Sequence, residues 1–397
     1  MANQLKTIIG LEIHQQLRTD SKLFCTCSAS YRDVLPNSNI CEVCTAQPGS
    51  KPHPLNKKAL ENLIRIALAL NCKVIQEKDV HVQRKHYFYP DLPSNYQRTS
   101  KPLVEEGKLG NVRIRELHIE EDPGRYELRK GLVDYNRSGV PLVELVTEPD
   151  LNSPEEAREF LEELAAIMDY LGATREEAGS TRVDANISLE GGNRVEIKNI
   201  NSFKGVFTAL KYEIVRQNSL VARGMQVELE TRHFDEGQGI TSGMRKKESA
   251  ADYRYIPDPD VPPLKISKAD VDKLRSTIPE LPRARAERIA KECGIRYDDA
   301  WVLVAEKEIG EFFERYAQKT KEPQEFAFWV RGALKKQLNY RGLAFKDCKV
   351  KREYLLKVFE MFVKKEITDK VNDELLIYLL DTPNAQSPEE LAKGKKM

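Results

Sequence analysis

Residues 182–189 read Arg182-Val183-Asp184-Ala185-Asn186-Ile187-Ser188-Leu189, polar and apolar in strict alternation. Successive side chains of a strand point to opposite faces, so Val183, Ala185, Ile187 and Leu189 share one face and Arg182, Asp184, Asn186 and Ser188 the other. The segment is a strand with one face for a core and one for chemistry. The same period of two predicts strands at 7–17, 112–121, 142–146 and 194–200.

Helices fall between these strands. Ser153 as N-cap, Pro154 as first helical residue, Glu156 as the reciprocal capping partner and Gly172 as the stop predict a helix over 154–171. Residues 57–70 and 204–220 carry similar apolar periodicity. Strands and helices do not alternate strictly, which predicts an α+β fold with a largely antiparallel sheet rather than a doubly wound parallel one. The prolines from Pro257 to Pro263 cannot continue a helix or a central strand, placing a boundary near residue 265. A connecting segment follows at 266–294, then a helical domain at 295–397. Helical patterns run over 283–293, 299–317, 323–338, 351–364 and 370–380.

The chain has 397 residues, with 63 Lys and Arg against 62 Asp and Glu. That length suggests two or three domains at roughly 150 residues each, and the balance of charge excludes a global basic field. No apolar run of about 18 residues occurs, which excludes a membrane-spanning helix, and the amino terminus runs into a strand pattern instead of a signal peptide. A cytosolic protein is expected. Charge is uneven, however: residues 331–365 hold 11 Lys and Arg but 3 Asp and Glu, a candidate surface for phosphate backbone whose plain alternative is a solvated helix face.

Four of the seven cysteines are bunched, as C-x-C at Cys25 and Cys27 and C-x-x-C at Cys41 and Cys44. In a reducing compartment this spacing suits a tetrahedral thiolate site for zinc better than two disulfides. The polar segment between the pairs, and Pro48, Pro52 and Pro54 after them, leave little with which to build a core of plain buried thiols. Four thiolates leave no open position on the ion, so its role would be structural.

A second constellation is acidic. Glu12 and His14 stand two apart in I-G-L-E-I-H and so share a face; Glu120, Glu121 and Asp122 end another strand; Glu144 sits among Leu142, Val143, Leu145 and Val146. Two carboxylates about 5 Å apart at an effective dielectric near 20 repel by roughly 3 kcal/mol, a repulsion that a divalent ion cancels. Magnesium, held by carboxylates and substrate phosphates, fits, with His14 as ligand or water-orienting group. An exposed strand face for Glu12 and His14, and a salt bridge to Arg137 or Lys198 for Glu144, are the alternatives. Neither common glycine-loop nucleotide fingerprint is present. Gly237–Gly243 followed by Arg245, Lys246 and Lys247 reads equally as a phosphate loop or a hairpin tip.

In order along the chain stand I-G-L-E-I-H-x-Q-L, Y-F-Y-P-D-L-P, H-I-E-E-D-P-G, D-Y-N-R-S-G-V-P-L-V-E-L-V-T-E-P-D, D-A-N-I-S, K-N-I-N-S-F, E-T-R-H-F-D-E and D-Y-R-Y-I-P-D-P-D. With these motifs the chain resembles the B-subunit family of the aspartyl/glutamyl-tRNA amidotransferases. The related archaeal E subunit carries an insertion for which the motifs leave no room. The resemblance implies a cradle related to glutamine synthetase and the guanidino kinases. It also implies a two-step reaction in which ATP phosphorylates the side-chain carboxylate of Glu-tRNA(Gln) or Asp-tRNA(Asn) and ammonia displaces the phosphate.

Partners implied by the resemblance are a glutamine-hydrolysing amidase (A) subunit, a small C subunit, the misacylated tRNA and a non-discriminating aminoacyl-tRNA synthetase. It further implies His14, Glu121 and Glu144 as magnesium ligands, Glu12 and Glu120 as further ligands or as partners behind them, and Lys85 at the ammonia entrance or in contact with phosphate. Asp184, Asn186, Lys198, Asn199 and Asn201 would line the phosphorylation pocket, and Arg245 would contact nucleotide phosphate. Many members continue Y-P-D-L-P with Lys-Gly, where this chain has Ser94-Asn95, and extend into a further helical tail that the sequence is expected to lack. The rival readings are a non-catalytic zinc-containing RNA-binding subunit and an ATP-dependent ligase for a free carboxylate metabolite.

Overall fold

The structure, a computed structural model, describes residues 5–246, 253–382 and 386–394, apart from the side chains at 245, 246 and 393. Two compact units emerge, Met1–Pro279 and Glu280–Met397. The segment expected to connect domains, 266–294, is divided between them.

The first unit holds β1 (Thr7–Gln16), α1 (Lys57–Ala69), β2 (Asp79–Val80), β3 (Val82–His86), β4 (Tyr96–Ser100), β5 (Gly107–Leu109), β6 (Val112–Glu121), β7 (Arg125–Glu127), β8 (Leu132–Asp134) and β9 (Pro141–Thr147). It continues with α2 (Pro154–Leu171), β10 (Thr181–Leu189), β11 (Val195–Ile200), α3 (Phe203–Ala222), β12 (Glu230–Asp235), β13 (Ile240–Lys246), β14 (Ile256–Pro257), β15 (Leu264–Lys265) and α4 (Lys268–Arg275). Among the described residues, eleven strands form one sheet in the order β13-β12-β11-β10-β1-β9-β6-β4-β3-β14, with β5 also paired to β6. The sheet is mixed. Its pairings are antiparallel except β11 with β12, which run parallel. Parallel neighbours need a long crossover, and α3 supplies it.

One face of the sheet is the core. Ile9, Leu11 and Ile13 of β1, Leu117 and Ile119 of β6, and Val183, Ala185 and Ile187 of β10 are buried, with α1 and α3 packed on the sheet and α2 packed on both helices. The sequence explains α2 closely: Ser153 Oγ accepts the N–H of Glu156, Glu156 reaches back to the N–H of Asn152, and Gly172 turns left-handed at φ 58°.

The second unit is helical: α5 (Pro282–Cys293), α6 (Tyr297–Val304), α7 (Lys307–Ala317), α8 (Pro323–Trp329), α9 (Lys335–Arg341), α10 (Arg352–Val363), α11 (Asp369–Asp381) and α12 (Pro388–Gly394). The expected helix over 299–317 is broken at Glu306, whose carboxylate leaves the helix to accept the N–H of Phe345. The expected helix over 323–338 contains a π-helical turn at Val330–Leu334. Phe312, Phe313, Phe326, Trp329 and Phe359 build its core. No helix among the described residues is long and apolar enough to cross a membrane.

Candidate active site

The opposite face of the large sheet is polar, and strand register decides what meets there. Glu144 of β9 stands between His14 of β1 and His118 of β6, and Glu12 stands opposite both Val146 and Asp184. One ligand atom from each of Glu12, His14 and Glu144 lies within 4.8 Å of the others. His14 Nε2 is 3.2 Å from Glu12 Oε1, and its Nδ1 is 3.8 Å from Glu120 Oε2. Glu120 is 1% exposed.

Burial and charge divide these groups. Burial alone would lift the Glu12 carboxyl and lower the His14 imidazole, but the bond between the two reverses both, holding Glu12 well below the usual range and His14 above it. Glu144 moves the other way. Burial, then the charges of Glu120 and Glu12, keep it protonated well above an ordinary glutamate, and a hydrogen bond joins it to Glu120. Lys85, half-buried over the Tyr253 ring at 4.9 Å, is held charged by Glu120 and Glu144 against the pull of burial. A carboxylate cluster that must keep one member protonated fits a divalent cation, which would replace that proton.

The second part of the face lies on β10 and β11. Lys198 Nζ donates to Asp184 Oδ2 at 2.7 Å and lies 3.5 Å from Glu196; the Asn199 N–H donates to Asp184 Oδ1; Asn201 Nδ2 reaches the Asn199 carbonyl. Asn186 Oδ1 is buried with no hydrogen-bond partner among the described residues. An unpaired buried acceptor costs free energy until a ligand donor meets it.

Glu121 is not part of this arrangement. A neighbour of Glu120 in a strand, it faces the other way and pairs with Arg98 at 3.2 Å. A Cβ at Gly139, where φ is +84°, would lie 3.6 Å from Glu121 Oε1 and 3.7 Å from Cys44 Cβ, so this carboxylate sits beside the cysteine loop. Glu144 pairs with neither Arg137, which holds the carbonyls of Pro123 and Gly124, nor Lys198. Gly237–Gly239 form the tip of the β12–β13 hairpin. Arg245 lies in β13, its side chain outside the described residues; Lys247 lies outside them altogether.

Residues 7–272 match the family described as GatB/GatE catalytic domain, and residues 311–397 the one described as GatB domain. The B subunit of the aspartyl/glutamyl-tRNA(Asn/Gln) amidotransferase of Methanobrevibacter smithii is 50% identical over 97% of this chain and 84% of its own length. The protein of that name from Methanothermobacter thermautotrophicus is 51% identical over 96% and 84%, and that from Methanocaldococcus jannaschii 46% over 98% and 84%. The chain belongs to the amidotransferase B-subunit family.

Two further features of this family member lie away from the acidic face. Cys25, Cys27, Cys41 and Cys44 place their sulfurs within 4.8 Å of one another, a set that can hold a metal ion. A hydrogen bond from Cys25 draws the Cys44 thiol down to about 5, helped by Lys22, whose Nζ lies 3.4 Å from it; burial lifts Cys27 to about 12. Lys22 is 1% exposed, a buried cation among thiols. At the Ser94-Asn95 departure, Asn95 has φ 59°, the left-handed conformation that glycine adopts freely and asparagine tolerates.

Sequence reasoning assigned no role to His118, Glu116, Gln16 or Arg182, and named Asp122 only as a member of the acidic cluster at the end of a strand. His118 Nδ1 meets the Ser100 carbonyl at 2.8 Å and Nε2 meets Glu116 at 2.8 Å, so both nitrogens face acceptors. The signal was available: His118 alternates with Glu116 and Glu120 along β6, all on the face of Glu144.

Proposed function

We propose that this chain phosphorylates the side-chain carboxylate of Glu-tRNA(Gln), Asp-tRNA(Asn) or both with ATP, and amidates it with ammonia from a glutamine-hydrolysing A subunit, a small C subunit completing the complex. The observation that carries the reading is the convergence of Glu12, His14 and Glu144 beside the Asp184–Lys198 pair on one sheet face. A carboxylate is a poor electrophile. Its oxygen attacks the γ-phosphorus of ATP and ADP leaves with the bond electrons, giving an acyl phosphate. Ammonia then adds to the carbonyl carbon, gives up a proton, and inorganic phosphate departs with the C–O electrons. The relatives' names speak for the tRNA substrates.

Glu12 and Glu144 supply the hard oxygens for magnesium, with His14 as ligand or partner to Glu12 and Glu120 behind them. Bound there, the ion would neutralise the triphosphate. Lys85, charged and half-buried beside Glu120 and Glu144, faces the ammonia route; Asp184, Lys198, Asn199 and Asn201, with the orphan acceptor of Asn186, line the acyl-phosphate pocket. Arg245 remains a candidate phosphate contact. The sheet, polar on one face and helix-covered on the other, supports the likeness to the glutamine synthetase cradle.

The cysteine loop is read as a zinc site. Four Zn–S bonds of about 2.3 Å in a tetrahedron put sulfurs about 3.8 Å apart, and Cys41 and Cys44 are 3.9 Å apart. With all four sulfurs bound, the buried Lys22 offsets part of the residual negative charge.

The test assembles the chain with A and C subunits, ATP, magnesium, glutamine and radiolabelled Glu-tRNA(Gln), and follows Gln-tRNA(Gln) after deacylation. Wild type is expected to form product and Glu144→Gln to lose at least about 100-fold in rate. Product without ATP, or an equal rate from Glu144→Gln, would sink the assignment; no product from wild type would return the chain to the non-catalytic RNA-binding reading.

A further inference from the structure

Arg182 is a cation on the polar face to which the phosphorylation chemistry above gives no role. It stands opposite His14 in strand register, so it borders the acidic cluster. Its Nη2 donates to Asp122 Oδ1 at 2.6 Å, the single hydrogen bond it makes among the described residues, and 24% of the side chain remains open. The other donors of the guanidinium are therefore unclaimed. A guanidinium offers a planar fork that matches the two oxygens of a carboxylate.

What aims it is equally specific. Asp122, 1% exposed, also accepts from Gln16 Nε2 at 2.6 Å. Gln16 in turn accepts from Arg32 Nη2 at 3.1 Å and donates to the Tyr31 hydroxyl at 3.0 Å. Tyr31 and Arg32 belong to the loop between Cys27 and Cys41. Arg32 is anchored again on Ser180 Oγ at 2.8 Å and lies over the Tyr31 ring. A continuous hydrogen-bonded path thus runs from the cysteine loop through Gln16 and Asp122 to Arg182.

We propose that Arg182 binds the reacting side-chain carboxylate of the aminoacyl-tRNA, and that Gln16 and Asp122 are positioning residues through which the cysteine loop aims it. The inference rests on the acyl-phosphate reading of this site. Arg182 holds the oxygen that is not phosphorylated while its twin attacks the γ-phosphorus. When ammonia adds to the carbonyl carbon, that held oxygen takes the electron pair of the C=O bond, and the same guanidinium stabilises it until the pair returns and phosphate leaves.

The experiment uses the assembled amidotransferase with radiolabelled Glu-tRNA(Gln). Arg182→Ala is expected to lower kcat about 100-fold while the ATP concentration for half-maximal rate stays within about threefold, and added guanidinium hydrochloride restores part of the rate. Arg182→Lys keeps the charge opposite buried Asp122, so it guards against a folding defect; lacking the fork, it still loses about tenfold. Gln16→Ala, which loosens the aim without removing the guanidinium, is expected to lose about tenfold and to gain nothing from added guanidinium. Wild-type rates from both Arg182 variants, or a loss confined to ATP half-saturation, would overturn the proposal and leave the acyl-phosphate reading standing. An inactive wild type would remove that reading itself.

Discussion

Glu120 and Glu121 are chain neighbours with opposite surroundings, because a strand sends successive side chains to opposite faces. Glu120 is pressed against His14 and Glu144 and held ionised by Lys85 against the pull of burial; Glu121 is raised by burial, with Arg98 partly offsetting that, beside Cys44. Their substitutions should therefore separate. Glu12→Gln and Glu144→Gln should raise the magnesium concentration needed for half-maximal amidation by tenfold or more, about 1.4 kcal/mol of metal affinity per factor of ten. Glu121→Gln should leave that concentration within about threefold and lower the melting temperature instead, since Arg98 loses one of its two charged partners. A magnesium titration beside thermal unfolding decides the matter: a magnesium defect in Glu121→Gln without a loss of melting temperature contradicts the register.

At the level of elements, a buried ion network fastens β3, β4 and β6 to the segment around Asp258. Asp258, its side chain fully buried, accepts from Arg84 at 2.9 Å and Arg98 at 2.8 Å, and Arg98 continues to Glu121. Burial would raise the Asp258 pKa, but the Arg84 bond, the Asp260 N–H and the Arg98 bond together depress it. A depressed carboxyl contributes stability that is complete above its unfolded value and lost as pH falls through the folded one. Asp258→Asn should thus cost about 3 kcal/mol at neutral pH and flatten the loss of stability below about pH 4; acid unfolding monitored by circular dichroism should show the two curves converging. Equal acid midpoints with an undiminished gap would argue against the network.

None of that network was legible in the sequence, because Arg84, Arg98 and Asp258 meet only through tertiary register. By contrast, α2 was legible to its caps, since Ser153, Pro154, Glu156 and Gly172 act within one turn of each helix end. The Glu12 and His14 pair followed from a period of two. Which carboxylate of Glu120 and Glu121 joined them did not, because one residue of register exchanges the faces.

Over the whole chain, a near-neutral charge conceals a division of labour. The first unit carries the acidic face; the second carries the basic stretch 331–365, which the fold partly neutralises. Arg331 pairs with Asp299, Lys336 with Asp373, Arg341 with Asp381, and Lys357 with Glu360 and Glu389. Arg352 stacks on Phe345. Lys349, Lys351, Lys364 and Lys365 remain exposed, with Lys351 beside the Tyr354 ring. If this unit grips the tRNA backbone, those four carry the grip, because a paired cation releases fewer counterions on meeting a phosphate. Replacing all four by glutamine should weaken tRNA binding at low salt and reduce the slope of log affinity against log salt by about 0.7 to 0.9 for each phosphate no longer neutralised. The rate at saturating tRNA should hold, since the groups proposed to react lie in Met1–Pro279. Replacing the paired Lys336 and Lys357 is the matched control and should change the slope far less. A slope that the four substitutions leave unaltered would make this stretch a solvated surface and move tRNA recognition elsewhere on the chain.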